Sequence, residues 1–98
     1  MNSEEALAVL RQHADELRAR GVRRAALFGS VARGEADADS DINIMIELDP
    51  TRHMDVFSYA GLKNYINELF GRPVDVVDRE GLKPHVRGPA IADAIYAF

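Results

Sequence analysis

The segment "DINIMIEL", residues 41–48, constrains the fold of this chain more than any other. Ile42, Ile44, Ile46 and Leu48 alternate with Asp41, Asn43, Met45 and Glu47. Successive side chains of a strand point to opposite faces, so the alternation predicts a strand with one apolar face. That face has to be the core face. The other face opens on two polar groups. Asp41 and Asn43 project to the same side, about 6.5–7 Å apart along the strand. Asp49-Pro50 ends it.

The flanking sequence supplies the cover. Residues 3 to about 20 predict a helix: Asn2 or Ser3 can cap it, and Glu4 and Glu5 suit its positive end. Leu7, Leu10, Ala14 and Leu17 recur at spacings of three and four, and Gly21 follows as the stop. "RAALFG", 24–29, reads as a short buried strand, and 30–40 as a turn, with room for one helical turn, then a loop. In that loop Asp37, Asp39 and Ser40 read as solvated turn residues. Residues 55–70 predict a second long helix, stopped by Gly71 and Pro73. "PVDVVD", 73–78, reads as a third strand, 79–88 as loop with one turn of helix at most, and 89–98 as a final helix opened by Pro89. The order is α-β-β-α-β-α in a single domain, 1–98. This is an α/β (α+β) chain in which helices flank a small mixed sheet.

Composition narrows the function. Ninety-eight residues at 47% hydrophobic support one core and not two. So short a chain does not easily build a deep pocket alone, and a partner chain would help complete any site. The net charge of -4 argues against direct nucleic-acid binding, which needs a basic footprint. No cysteine is present, which excludes disulfides and thiolate metal sites. No apolar run approaches the roughly 20 residues of a membrane span, and "MNSEEALAVL" has no signal-peptide character. A cytoplasmic protein is expected.

The chemistry gathers around the alternating strand. Gly29-Ser30 follows the first strand and precedes Asp41 and Asn43. Asp75 interrupts the apolar run Val74, Val76, Val77. If the third strand lies beside 41–48, Asp75 joins Asp41 and Asn43. Oxygen donors of this kind suit Mg²⁺, which takes one or two carboxylates together with substrate phosphates and water. Beside a Gly-Ser turn, such a cluster suits phosphoryl or nucleotidyl transfer. Each residue alone reads blandly: Gly-Ser as an ordinary turn, Asp75 as a solvated strand position. His13, His53 and His85 share no metal-ligand spacing. Arg18, Arg20, Arg23 and Arg24 are explained in part by the end of the first helix; a partner or nucleotide contact is the other reading. Phe57, Tyr59, Tyr65, Phe70, Tyr96 and Phe98 read as core or interface.

Gly-Ser, ten residues, Asp41-x-Asn43 and a later Asp75 resemble the nucleotidyltransferase superfamily of DNA polymerase beta, whose pattern is G-S, about ten residues, D-x-D and a third acid. "LFGSVARGEADADSDIN" is most similar to its minimal nucleotidyltransferases, the MNT proteins. The resemblance covers nearly the whole chain. It implies that Gly29 and Ser30 hold the phosphates of a nucleoside triphosphate, with Arg33 in reach of one. It implies that Asp41, Asn43 and Asp75 take the metal positions, with Mg²⁺ as cofactor. Asp41 and Asp75 are the implied catalytic acids, Asp75 activating the attacking hydroxyl. MNT antitoxins pass AMP from ATP to a tyrosine of a HEPN-domain toxin, and that is the function implied here.

Asn43 departs from the pattern. An amide oxygen can ligate a metal but brings no charge where the family has a bridging carboxylate. Transfer depends on that electrostatic stabilisation. Two origins of Asn43 stay open: a native residue in a slow or inactive enzyme, or an Asp→Asn change that traps a complex. Two functions follow: an adenylyltransferase, or an MNT-fold antitoxin that neutralises a HEPN toxin by binding alone.

Overall fold

The computed structural model describes residues 1–35 and 41–98; the loop reading of Asp37, Asp39 and Ser40 lies outside them. The elements are α1 (Ser3–Gln12), α2 (Ala14–Ala19), β1 (Val22–Phe28), β2 (Ile42–Leu48), α3 (Val56–Phe70), β3 (Val74–Asp78), a 3₁₀ turn (Arg79–Gly81), α4 (Pro84–Asp93) and β4 (Ile95–Tyr96). The strands form one mixed sheet in the order β3-β2-β1-β4. β1 is antiparallel to β2 and β4, and β3 is parallel to β2. A parallel neighbour needs a crossover, and α3 supplies it.

The alternation in β2 is carried out as expected. Ile42, Ile44 and Ile46 are fully buried, in one cluster with Ala25, Leu27, Val74 and Val76 from the adjacent strands. Leu7 and Leu10 of α1, Leu17 of α2, and Leu62, Ile66 and Phe70 of α3 complete that cluster. Ala26, Met45 and Ala90 are buried apart from it, and α4 packs against β1. The second face of the sheet is therefore covered in part by α4. Both faces of the strands have to be apolar where they are covered, which explains Met45 on the otherwise polar side of β2.

Two boundaries in the first part of the chain differ from expectation. The first helix is broken at His13, whose φ of -109° and ψ of 16° leave the helical region. Its N–H turns back to the Leu10 carbonyl at 3.3 Å. The break lets Leu17 reach the same core as Leu7 and Leu10, a tertiary demand that periodicity does not report. β1 starts at Val22 rather than at 24, and the register shifts between Val22 and Arg24. Such a bulge re-aims the following side chains.

The C-terminal reading needs correction. The last helix starts at Pro84 and ends at Asp93, and Ile95–Tyr96 form a strand instead of continuing a helix to 98. Pro84, not Pro89, takes the first turn, where a missing N–H costs nothing. Pro89 lies inside the helix, without the N–H that would reach the His85 carbonyl. The chain end then fills the open edge of β1. Ala97 N–H donates to the Ala25 carbonyl at 2.8 Å, and Arg11 Nε to the Ala97 carbonyl at 3.0 Å. An unpaired edge of backbone donors and acceptors is what these contacts remove.

Three of the four arginines in the basic cluster, Arg18, Arg20 and Arg24, lie over aromatic rings. The guanidinium of Arg18 lies over Phe98 at 4.8 Å, that of Arg20 over Tyr65 at 4.0 Å and that of Arg24 over Tyr96 at 3.9 Å. These arginines fasten the chain end and α3 to the elements around β1.

Candidate active site

β1 ends at Phe28, and the chain turns at Gly29 with φ of 78°, in the left-handed region. Two constraints require glycine there. The backbone conformation is costly for a side chain. A Cβ would also stand 2.7 Å from Asn43 Nδ2. From Gly29 the chain makes one tight helical turn: Arg33 N–H donates to the Gly29 carbonyl at 3.1 Å, Gly34 N–H to Val31 at 3.2 Å and Glu35 N–H to Ser30 at 2.9 Å. Val31, 2% exposed, pins the turn to the main core. The amides that open such a turn have no acceptor within it. Gly29 and Ser30 open this turn at the end of the sheet, a position from which backbone N–H groups can meet an anion.

β2 and β3 bring the acids to the same place. Asn43 lies opposite Asp75 on β3 and opposite Phe28 on β1. Strands at adjacent positions are about 4.8 Å apart, so Asn43 and Asp75 are side by side. Asp41 leads into β2 two residues before Asn43 and is exposed, as is Asp75, while Asn43 is half-buried. Asp41, Asn43 and Asp75 therefore share the end of the sheet where Gly29 turns. The condition on which Asp75 joins the other two, that β3 lies beside β2, holds, with Asp75 in register with Asn43.

Among the described residues no three His, Cys, Asp or Glu side chains converge to hold a metal ion. The cluster offers two carboxylates and one amide. Asp41, Asp75 and Asn43 Oδ1 are hard oxygen donors, a set that fits one Mg²⁺ sharing its shell with substrate phosphates. The Nδ2 end of Asn43 is the end set against Gly29.

Arg33 is not free in this arrangement. Its Nη1 lies 2.6 Å from Asp93 Oδ2 at the end of α4, and its Nε lies 3.0 Å from Glu35 Oε2. The hydrogen bond to Glu35, then that to Asp93, raises its pKa above the ordinary value. Arg33 thus joins the turn to α4.

The sequence reading missed the contribution of α4. His85, Val86, Pro89, Ala90 and Asp93 line a groove of about 330 Å³ with Phe28, Gly29 and Arg33. Their spacing of one, four, five and eight residues defines one helical face. A helix begun at Pro84 would have exposed that pattern; a helix begun at Pro89 hides it.

The nucleotidyltransferase domain family matches this chain over residues 10–97. The protein adenylyltransferase MntA of Thermococcus cleftensis is 34% identical over 94 residues, which cover 95% of this chain and 93% of that one. A Methanocaldococcus jannaschii protein provisionally named as a protein adenylyltransferase is 36% identical over 90 residues, 90% of each chain. A solved structure provisionally named a minimal nucleotidyltransferase superposes with a TM-score of 0.70 at 33% identity, covering 97% of this chain and 95% of that one. A chain from the complex of a tri-AMPylated Shewanella oneidensis HEPN toxin with an MNT antitoxin shares the fold, with a TM-score of 0.65 at 16% identity, over 94% of this chain and 71% of that one. With its Gly-Ser turn, its Asp41, Asn43 and Asp75 cluster and a family match over nearly its whole length, the chain belongs to the nucleotidyltransferase-domain family, among the minimal, MntA-like members.

Proposed function

We propose that this chain is an MNT antitoxin that transfers AMP from ATP to a tyrosine hydroxyl of a HEPN-domain toxin. One observation carries the reading: the register that puts Asn43 beside Asp75, at the sheet end where Gly29 turns. The names of the relatives and the antitoxin complexes among the structural neighbours support it.

In this reading the opening amides of the turn and the Ser30 hydroxyl bind the triphosphate. Asp41, Asp75 and Asn43 would hold Mg²⁺, which when bound would neutralise charge on the phosphates. Asp75 accepts the proton of the attacking tyrosine hydroxyl. The tyrosine oxygen bonds to the α-phosphorus, the bond from that phosphorus to the β-phosphate oxygen breaks, and pyrophosphate leaves. Nearly all of the catalysis is positioning and electrostatic stabilisation.

A second reading is favoured by Asn43, which leaves the cluster one carboxylate short. The chain then neutralises its toxin by binding without turnover. The experiment combines the protein with a HEPN-domain partner, Mg²⁺ and ATP labelled in the α-phosphate. Label on the partner that disappears with Asp41→Ala supports transfer. A stable complex without label supports binding alone. No complex and no label refutes both.

A further inference from the structure

We infer that the outer face of α3 pairs antiparallel with the same face of a second copy of this chain, Phe57 of each copy entering a notch at Gly61 of the other. α3 buries Leu62, Ile66 and Phe70 in the core and turns another stripe outward. Phe57, Ala60, Gly61, Asn64 and Glu68 recur at spacings of three and four, and all are exposed. Phe57 is 87% exposed and Val56 beside it 81%, the two most open large apolar side chains among the described residues. One turn on, Gly61 stands mid-helix, where glycine is a poor choice. Its own chain does not require it: its φ is not positive, and an added Cβ would meet nothing within 4 Å among the described residues. The notch opens into a cavity of about 390 Å³, lined also by Met54, Ser58 and Leu62, with room for a phenylalanine ring. A large knob and a hole one turn apart on the same helix cannot fill each other within one chain. Across a two-fold axis they can, twice over.

Charge complementarity selects a second copy and sets its direction. Glu68 lies exposed in the last turn of α3, the end at which the helix dipole disfavours an acid. Arg20 and Arg52 line the cavity at the other end, and Arg52 is held there by its hydrogen bond to the Ala19 carbonyl at 2.8 Å. Asp55 lies among them, with its carboxylate turned to the Ser58 N–H at 2.7 Å, and the two cations outweigh it. Setting Phe57 against the partner's Gly61 runs the helices antiparallel and brings Glu68 of each copy toward Arg52 of the other. A parallel pair would set Glu68 against Glu68. α3 covers the Ile42, Ile44 and Ile46 face of the sheet, whereas Asn43 and Asp75 project from the opposite one. The pairing therefore leaves both acid clusters open. α3 has 15 residues and is about 22 Å long. One helix pair of that length buries less than a standard interface, so the dimer is expected to be weak.

Sedimentation equilibrium of the full chain, without nucleotide or partner, tests this. The expected result is a monomer–dimer equilibrium with a Kd of about 10 μM. Gly61→Gln fills the notch, keeps the charge and favours the helix, so a loss of dimer cannot be a loss of fold. Phe57→Ser removes the knob. Each should weaken the dimer about tenfold, with circular dichroism unchanged. Glu68→Arg should weaken it about tenfold as well, and adding Arg52→Glu should bring the affinity back. A chain that stays monomeric to about 200 μM, well above that Kd, would overturn the inference. So would a Gly61→Gln variant that dimerises unimpaired, or a second charge reversal that fails to rescue the first. A monomeric chain whose binding to a HEPN-domain partner is lost with Phe57→Ser would overturn it in favour of that partner. None of these outcomes depends on nucleotidyl transfer, which Asp41→Ala tests separately.

Discussion

Gly29 and Asn43 are fitted to one another across the β1–β2 boundary. A Cβ added to Gly29 would stand 2.7 Å from Asn43 Nδ2, closer than real Cβ contacts come. The turn proposed to hold phosphates and the residue that departs from the family motif are therefore one packing unit. A change at either position is felt at the other.

Gly29→Ala should be costlier than Gly34→Ala. Both glycines have positive φ, 78° and 73°. Among the described residues, a Cβ on Gly34 meets nothing within 4 Å, whereas one on Gly29 meets Asn43. Backbone strain alone predicts about 1–2 kcal/mol at Gly34. The added clash should raise the cost at Gly29 to about 3 kcal/mol and abolish tight ATP binding. Urea unfolding of the two variants checks the difference; equal losses would show that the amide moves aside freely.

Asn43→Asp restores a carboxylate beside Asp75. Without metal, a third like charge at this end of the sheet should lower Tm. Mg²⁺ should then raise Tm more than it does for the unaltered chain, since it binds the folded state. The rate of label transfer to the HEPN partner should rise about a hundredfold. A variant with unaltered Mg²⁺ response would place the metal elsewhere.

Arg33→Ala should weaken ATP and tripolyphosphate alike, because its proposed ligand is a phosphate. Asp93→Asn removes the negative charge that faces Arg33 at 2.6 Å. That change should leave Tm nearly unaltered, as exposed ion pairs contribute little. It should tighten tripolyphosphate binding by removing one of the two carboxylate charges, Asp93 and Glu35, that compete with phosphate for the guanidinium. Weaker binding instead would mean that Asp93 orients Arg33 for the phosphate.

The pH dependence of stability has two edges. At Asp55 the backbone N–H of Ser58, which the carboxylate caps at 2.7 Å, holds the pKa below the usual value. A folded pKa below the unfolded one means stability that is present above about pH 4 and lost as pH falls through the folded value. The Tm gap between the unaltered chain and Asp55→Ala should therefore shrink below about pH 4. On the alkaline side, burial and then the Glu47 hydrogen bond raise the Tyr96 pKa. A raised folded pKa means stability that is complete below about pH 10 and lost as pH climbs through the folded value. Tyr96→Phe should flatten that alkaline loss. Melting curves across pH check both edges.

Arg24→Ala tests the arginine–aromatic contacts. Arg24 lies over Tyr96 and 3.8 Å from Glu47 Oε2, a buried oxygen with no hydrogen-bond partner among the described residues. Removing the guanidinium should cost about 1 kcal/mol and loosen β4, seen as faster hydrogen exchange at residues 95–97. Unchanged exchange would show that the edge is held by its backbone bonds and Arg11 alone.

Much of this site was legible in the sequence because strand alternation is strictly local. The alternation of Ile42, Ile44 and Ile46 decided which face is core, and so put Asp41 and Asn43 on the other. Gly29 could be recognised from its place after an apolar run. Asp75 could only be nominated, since nothing local reports which strands pair. The α4 face is hidden for a local reason of another kind: two prolines, Pro84 and Pro89, each suit a helix start, and only the fold shows that Pro84 takes it.

The sequence by itself determined the elements and one face of the sheet, because those follow from periods of 2 and 3.6 residues and from the turn residues between them. Only the tertiary structure decided the rest. Parallel pairing of β3 with β2 set Asp75 against Asn43. The break at His13 let two short helices serve one core. The chain end became a strand because β1 had an open edge to fill. And α4 came to stand over the Gly29 turn, held there by Arg33 and Asp93 from 60 residues apart. Each is a contact between segments distant along the chain, and its free energy depends on what the rest of the fold leaves exposed.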